Sequence, residues 1–308
     1  MLSRVADSLF WLSRNVERAE TIARILDVTS ARTMDTSGAG ATHEALWRAT
    51  LACASFLPPE KDVLSLADTI SWCVFDAGNS SSIKSCVRLA RTNGVGIRAL
   101  LSTEIWLALN ALYLYVEEQD AHRVLRTGPS RFLRRVRDAA QGFAGVCDAT
   151  LIHADAWNYL QIGRFLERAY MTSRMLAAGE PQAEPWSEAQ RLLEMCCATE
   201  PFMQTVHSTP ETSDALAFMI ASTEFPRSIR FCVREIDAAL RRLSRSPDGT
   251  YANEAERLVA RLRARIDFTP AGELIAGGVR AWALGLCSDL ALVGEAIQQS
   301  YTPSLEAV

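Results

Sequence analysis

The sequence predicts an all-α protein, a multi-helix bundle built from two tandem pseudo-symmetric helical units. Three observations carry this. Apolar residues recur at spacings of three and four along nearly the whole chain, as in helices with one buried face. Sustained alternation of period two, which a half-buried strand would need, is hard to find. The third observation is a repeat. Arg14, Glu17, Arg18 and Ala19, followed by Arg24 and Leu26, return 150 positions later as Arg164, Glu167, Arg168 and Ala169, followed by Arg174 and Leu176. Ser82, Ile83, Cys86, Val87 and Arg88 return in the same order as Ser228, Ile229, Cys232, Val233 and Arg234, displaced by 146 positions. Two nearly equal offsets define a repeat of roughly 150 residues, a typical domain size. The units are 1–149 and 150–308, intertwined as one domain.

Each element has its local reason. Leu2 to about Thr33 reads as one long helix, ended by Gly38 and Gly40, with Thr42 placed to cap the next. Helical pattern runs from His43 to Phe56, breaks at Pro58 and Pro59, and resumes over Lys61 to Phe75. After a turn at Gly78 and Asn79, Ser80 or Ser81 is placed to cap a long segment from Ser82 to Glu118, interruptible near Asn93 and Gly94. Gly128 and Pro129 open the helix that carries Phe132 to Cys147. The second unit repeats the plan. Its long helix spans about Ala154 to Ala178 and stops at Gly179 to Pro181, and further helices follow Ser187, Pro210, Pro226, Asn253 and Pro270. Ser246 to Gly249 reads as a loop, and Thr302 begins a tail that frays.

With 308 residues, 49% of them hydrophobic, the chain can bury a sizeable core. A net charge of −4 argues against a general nucleic-acid binder, which needs a basic surface. There is no run of about 18 apolar residues to span a membrane, and the N-terminus leads directly into an amphipathic pattern. A soluble cytoplasmic protein is expected. The eight cysteines include no C-x-x-C pair and sit mostly in apolar helical segments, as buried free thiols would. His43, His122, His153 and His207 are scattered, without metal-ligand spacing, and no phosphate-loop or dinucleotide signature occurs; no metal or cofactor is expected.

On a helical wheel, Arg14, Glu17 and Arg24 share one side of the first helix, and Leu9, Leu12, Val16, Ala19 and Leu26 the other. Arg18 falls between them, next to Trp11, Ile22 and Ile25. In the second copy Glu167 is flanked by Leu160 and Met171, and Arg168 by Phe165 and Met175. Glu17, Arg18, Glu167 and Arg168 are therefore expected to be mostly buried and cross-paired between the units, since an uncompensated buried charge costs several kcal/mol. Two readings are open. One is a structural ion-pair network in which Glu17 meets an arginine of the other unit and Glu167 reciprocates about a pseudo-two-fold axis. The other is a cleft in which Glu17 and Glu167 act as general base, ligand or orienter, while Arg14, Arg18, Arg164, Arg168 and Arg174 bind a substrate carboxylate or phosphate.

At these residues the chain resembles the bacterial alpha-E family, marked by R-x-x-E-R-A near the N-terminus and G-R-x-x-E-R-A near the middle. Trp11, Arg14, Glu17, Arg18, Ala19 and Glu20 fit the first motif; Gly163, Arg164, Glu167, Arg168, Ala169 and Arg174 fit the second. Glu104, Trp106, Leu109, Asn110, Thr150 and Trp157 fit as well, so the resemblance covers essentially the whole chain. The family occurs beside, or fused to, an ATP-grasp enzyme of the amide-ligase kind, often with a transglutaminase-like protease. The resemblance thus implies a helical protein acting with an ATP-grasp partner in forming or modifying a peptide-type amide bond, on a small-molecule or peptide anionic substrate. The alternatives are a stand-alone enzyme using glutamate and arginine in acid–base or transfer chemistry, and a non-catalytic helical adaptor. One segment departs from the family pattern: where relatives carry A-R-E-N-A-R, this chain has Ala90 to Val95, lacking a carboxylate and an arginine.

Two arginine runs remain. Arg123, Arg126, Arg131, Arg134, Arg135 and Arg137 crowd fifteen residues around a helix start, reading as an anion site, a solvated basic face or a docking patch for an acidic partner. Arg257, Arg261, Arg263 and Arg265 have the spacing of an exposed helix side. His153 lies one helical turn before Trp157, close to the second motif.

Overall fold

The computed structural model describes residues 3–35, 40–54, 65–178, 184–247 and 249–301. Among them every regular element is a helix. In chain order these are α1 (Ser3–Asp35), α2 (Gly40–Ala54), α3 (Leu66–Ile70) running on as a π-helical turn over Ser71–Phe75, α4 (Ile83–Gly96), a 3₁₀ turn over Arg98–Leu100, and α5 (Thr103–Glu117). There follow α6 (Ala121–Thr127), α7 (Pro129–Thr150), α8 (Asp155–Ala177), α9 (Pro185–Met195), α10 (Thr199–Met203) and α11 (Thr212–Ala221). Last come α12 (Ile229–Ser244), α13 (Glu254–Phe268), α14 (Ala271–Ala276) and α15 (Val279–Tyr301). No helix of the described residues is long and apolar enough to cross a membrane. The expected turn at Gly38, the break at Pro58 and Pro59, the stop at Gly179 to Pro181 and the tail from Thr302 lie outside the described residues.

Several boundaries differ from expectation, for local reasons. The segment from Ser82 to Glu118 is two helices, because Ser102 caps α5 by accepting from the Ile105 amide. The helix expected after Ser187 already starts at Pro185, since the Glu184 carboxylate accepts from the Trp186 and Ser187 amides. α2 begins at Gly40, so Thr42 lies inside it and not at its cap. Pro129 does open α7, with Gly128 at φ 86° just before it.

The repeat recurs as local structure. Ser82 and Ser228, not Ser80 or Ser81, are the caps: each accepts from the amide three residues on and donates to the carbonyl six residues back, Asp76 at 2.8 Å and Ser222 at 2.6 Å. Cys86 and Cys232 likewise each lie against the carbonyl six residues back, Ser80 and Pro226. One turn into each helix the cations reach the carboxylate near the end of the next. Lys84 and Arg88 of α4 pair with Glu117 of α5; Arg230 and Arg234 of α12 pair with Asp267 of α13. Gly278 at φ 97° precedes α15 as Gly128 precedes α7.

The chain divides into two compact units, one of Met1–Arg14, Ile152–Ala177 and Glu184–Val308, the other of Asn15–Leu151 and Ala178–Ala183. In the first, the α8 unit, α8 packs on α12 and α15, α13 lies against both of those, and α11 meets α9 and α14. Its core is built from Leu166 and Ala169 of α8, Val233 and Ile236 of α12, and Leu286 and Val293 of α15. In the second, the α5 unit, α5 packs on α4 and α7. There Ile105, Leu109, Leu112 and Val116 repeat at intervals of four, three and four, and bury against a layer that includes Leu133 and Val136 of α7. Each such side chain contributes about 1.5–3 kcal/mol when fully buried. α1 contributes through Arg14 to the α8 unit and from Asn15 onward to the α5 unit. Cys53, Cys73, Cys86, Cys147, Cys196 and Cys232 are buried; Cys287 is half-buried and Cys197 exposed. Burial pushes the Cys73 thiol up to about 12.

Candidate functional site

Arg14, the first residue of the first motif copy, meets the second copy where α1 crosses α8, within the α8 unit. The crossing is close because position 163 has no side chain: a Cβ on Gly163 would stand 2.4 Å from the Phe10 carbonyl oxygen and 3.2 Å from the Ser13 Cβ. The contact is reciprocal in the repeat. Ser13 occupies the position of Gly163 in the first copy, and its hydroxyl donates to the Leu160 carbonyl at 2.6 Å, Leu160 being the counterpart of Phe10. The glycine of the second motif is thus explained by backbone approach, a role that requires knowing which helices cross.

One turn further along, Arg14 Nε donates to Glu167 Oε2 at 2.8 Å, joining the first copy to the second. The Glu167 side chain is 0% exposed and that of Arg14 14%. Taking such a carboxylate from water costs several kcal/mol, which the guanidinium offsets at close range. The Arg14 guanidinium also lies 4.8 Å from the Trp11 ring centre and 5.4 Å from that of Phe10. Glu17 is buried as well.

The other motif arginines have different surroundings. Arg18, Arg164, Arg168 and Arg174 are half-buried. Arg164 donates to Gln161 Oε1 and lies 4.9 Å from the Phe165 ring centre. Arg168 was expected to be mostly buried; instead it reaches the turn before α12, donating to the Pro226 carbonyl at 3.2 Å, where Thr172 donates to Arg227. It therefore helps hold the Ser228 cap, connecting the two repeated motifs. Arg174 acts on Cys287, its field opposing the burial that pushes that thiol up to about 11. Arg24, placed by the wheel on the polar side, is 1% exposed and ion-paired with the buried Glu20 one turn back, to which Gln141 also donates. Its charge tolerates burial because its neutralising partner is on the same helix face.

Outside the motif, Asn110 accepts from Arg91, whose guanidinium lies over Trp106 and Tyr113, and Arg98 also faces Trp106. His153 stacks on Trp157 at 4.3 Å, and Arg242 lies over the same ring. The run read as an exposed helix side does more than that. Arg263 of α13 bridges Asp267 and the buried Asp237 of α12, which also holds Arg241. Only the facing helix reveals this, since Asp237 and Arg263 are 26 residues apart.

Residues 1–302 match the model of the Alpha-E family, described as a predicted alpha-helical domain with a conserved ER motif. The chain belongs to the Alpha-E family. The Glu17-Arg18 and Glu167-Arg168 pairs on the crossing helices are dipeptides of this kind, and Glu256-Arg257 is a third. Among curated proteins it is similar to the uncharacterized protein Rv2567 of Mycobacterium tuberculosis, 22% identical over 303 residues, covering 90% of this chain and 34% of that protein. The uncharacterized protein Mb2597 of Mycobacterium bovis is similar to the same extent. The chain thus spans about a third of the length of these relatives. No solved structure matches it.

Proposed function

We propose that this Alpha-E chain acts in the cytoplasm as the helical partner of an ATP-grasp ligase, in forming or modifying an amide bond of a peptide-type product. A transglutaminase-like protease acts in the same process. Membership of the family over residues 1–302 supports the partnership, through the association that its motifs imply. The observation that carries the division of labour is the pair between Arg14 and the fully buried Glu167. A carboxylate already engaged by a guanidinium and closed off from water is suited to holding that arginine in place, and must leave it before it can take a substrate proton. The stand-alone acid–base reading of Glu17 and Glu167 is therefore the weaker one.

In this reading the glutamates orient arginines, and the half-buried Arg164, Arg168 and Arg174 of α8 receive the carboxylate or phosphate of an anionic substrate or intermediate. Arg14, Glu17 and Arg18 are the first copy's equivalents. The reciprocal contact of Ser13 and Gly163 supports a pseudo-two-fold relation between the copies. The test is reconstitution with the ATP-grasp protein encoded in the gene neighbourhood. Co-purification, and an ATP-dependent amide product formed only when both proteins are present, are expected. A ligase that turns over equally well alone, with no complex detected, refutes the partnership.

A further inference from the structure

Outside the ER motifs, α7 and α5 form an open cleft of about 470 Å³, lined by Tyr115, Arg131, Arg134, Arg135 and Asp138. It lies wholly within the α5 unit. Its charge is unbalanced. Arg134 and Arg137 approach Asp27 only to 3.8 Å, and Arg137 approaches Asp138 to 3.7 Å, distances at which exposed pairs contribute little. Arg123, Arg126, Arg131 and Arg135 have no carboxylate within ion-pair distance among the described residues. Six arginines between positions 123 and 137 stand against Asp27, Glu118, Asp120 and Asp138, a local surplus of two positive charges on a chain whose net charge is −4.

The aromatic residue in the cleft is not a stacking platform. One face of the Tyr115 ring stacks on Phe132 at 5.8 Å, and the Arg135 guanidinium lies 5.9 Å from its centre. What Tyr115 offers is its hydroxyl, a donor at neutral pH in any case, whose pKa burial raises further against the fields of Arg135, Arg131 and Arg123. Apart from the Asp138 carboxylate, the cleft therefore presents hydrogen-bond donors, and among the described residues no free ring face for a nucleobase. Arg131, Arg134 and Arg135 are at i, i+3 and i+4, neighbours on one helix face, and Arg123 and Arg126 continue the positive charge onto α6. A compact anion engages one or two guanidiniums; a row of exposed ones suits a chain that carries several carboxylates.

We infer that the α5–α7 cleft is a docking surface for an acidic segment of a partner polypeptide, with Arg131, Arg134 and Arg135 pairing with its carboxylates and the Tyr115 hydroxyl donating to one of them. None of the cleft residues belongs to the two ER motifs, so the test does not require the ligase. The full chain is titrated into a fluorescein-labelled oligoglutamate peptide and binding is read by anisotropy, with unlabelled oligothymidylate and tripolyphosphate as competitors. Arg131→Glu with Arg135→Glu should weaken peptide binding by at least about tenfold, from two lost charge-assisted contacts, without moving the melting temperature. Arg257→Glu with Arg261→Glu, the same charge change on α13, should leave it within about twofold, as unspecific attraction would not. Equal losses in both variants, or none in the first, overturn the inference. Oligothymidylate or tripolyphosphate binding more tightly than the peptide, and losing affinity in the first variant, replaces it with a nucleic-acid or phosphate site.

Discussion

Gly163→Ala tests the helix crossing on which the candidate site is built. The added Cβ would stand 2.4 Å from the Phe10 carbonyl oxygen, and the obstruction is backbone that no rotamer change can move. An ordinary carbon–oxygen contact needs about 3.3 Å or more, so α1 and α8 must separate by on the order of 1 Å. Overpacking of this kind costs about 1–3 kcal/mol. Stretching the 2.6 Å bond from Ser13 to the Leu160 carbonyl removes about 1 more. The better helix propensity of alanine returns about 1, for a net loss near 2 kcal/mol. With a urea slope of about 3 kcal/mol per molar for a chain of this size, the unfolding midpoint followed by circular dichroism should fall by about 0.7 M. The control is Gly142→Ala in α7, where an added Cβ meets nothing within 4 Å. That variant should gain about 1 kcal/mol and raise the midpoint by about 0.3 M. A Gly163→Ala midpoint at or above wild type refutes the close crossing, and with it the explanation of the motif glycine.

Glu167→Ala leaves Arg14 unpaired in a largely buried place and should cost about 3–5 kcal/mol in the same unfolding assay; an unchanged midpoint shows that the pair is not structural. Arg164→Lys keeps the charge but loses the planar fork, so the reconstituted ligase system should slow while the unfolding midpoint holds within about 1 kcal/mol; wild-type turnover removes Arg164 from the substrate site. The Glu117 carboxyl is held below its ordinary range, first by the hydrogen bond from Arg88, which outweighs the desolvation of burial, and further by the charge of Lys84. Its contribution to stability is therefore present above the ordinary carboxylate range and fades as pH falls through the depressed folded-state value. In Arg88→Ala the Glu117 resonance should titrate at higher pH than in wild type, and NMR titration curves that coincide refute the assignment.

The sequence by itself determined the helical class, because an apolar period of three to four residues is a property of each segment alone and needs no partner. It also located the repeat and the main signals of the second unit: α13 capped at Asn253, α11 after Pro210, α12 after Pro226. The apolar flanks of Glu167 on the wheel indicated that it would be buried, as it is, whereas Glu17, on the side of Arg24, is buried as well. Partner choice was decided only by tertiary structure. That Arg14 meets Glu167 while Arg168 reaches the Pro226 carbonyl depends on where α1 crosses α8 and where the turn before α12 lies, and no periodicity encodes those positions. The same holds for Gly163, whose missing Cβ matters only against the Phe10 carbonyl, and for Arg263, which looks like a solvated side chain until α12 brings up Asp237. Local chemistry sets which faces are buried, whereas the distances between helices that set each charge's environment exist only once the helices have packed.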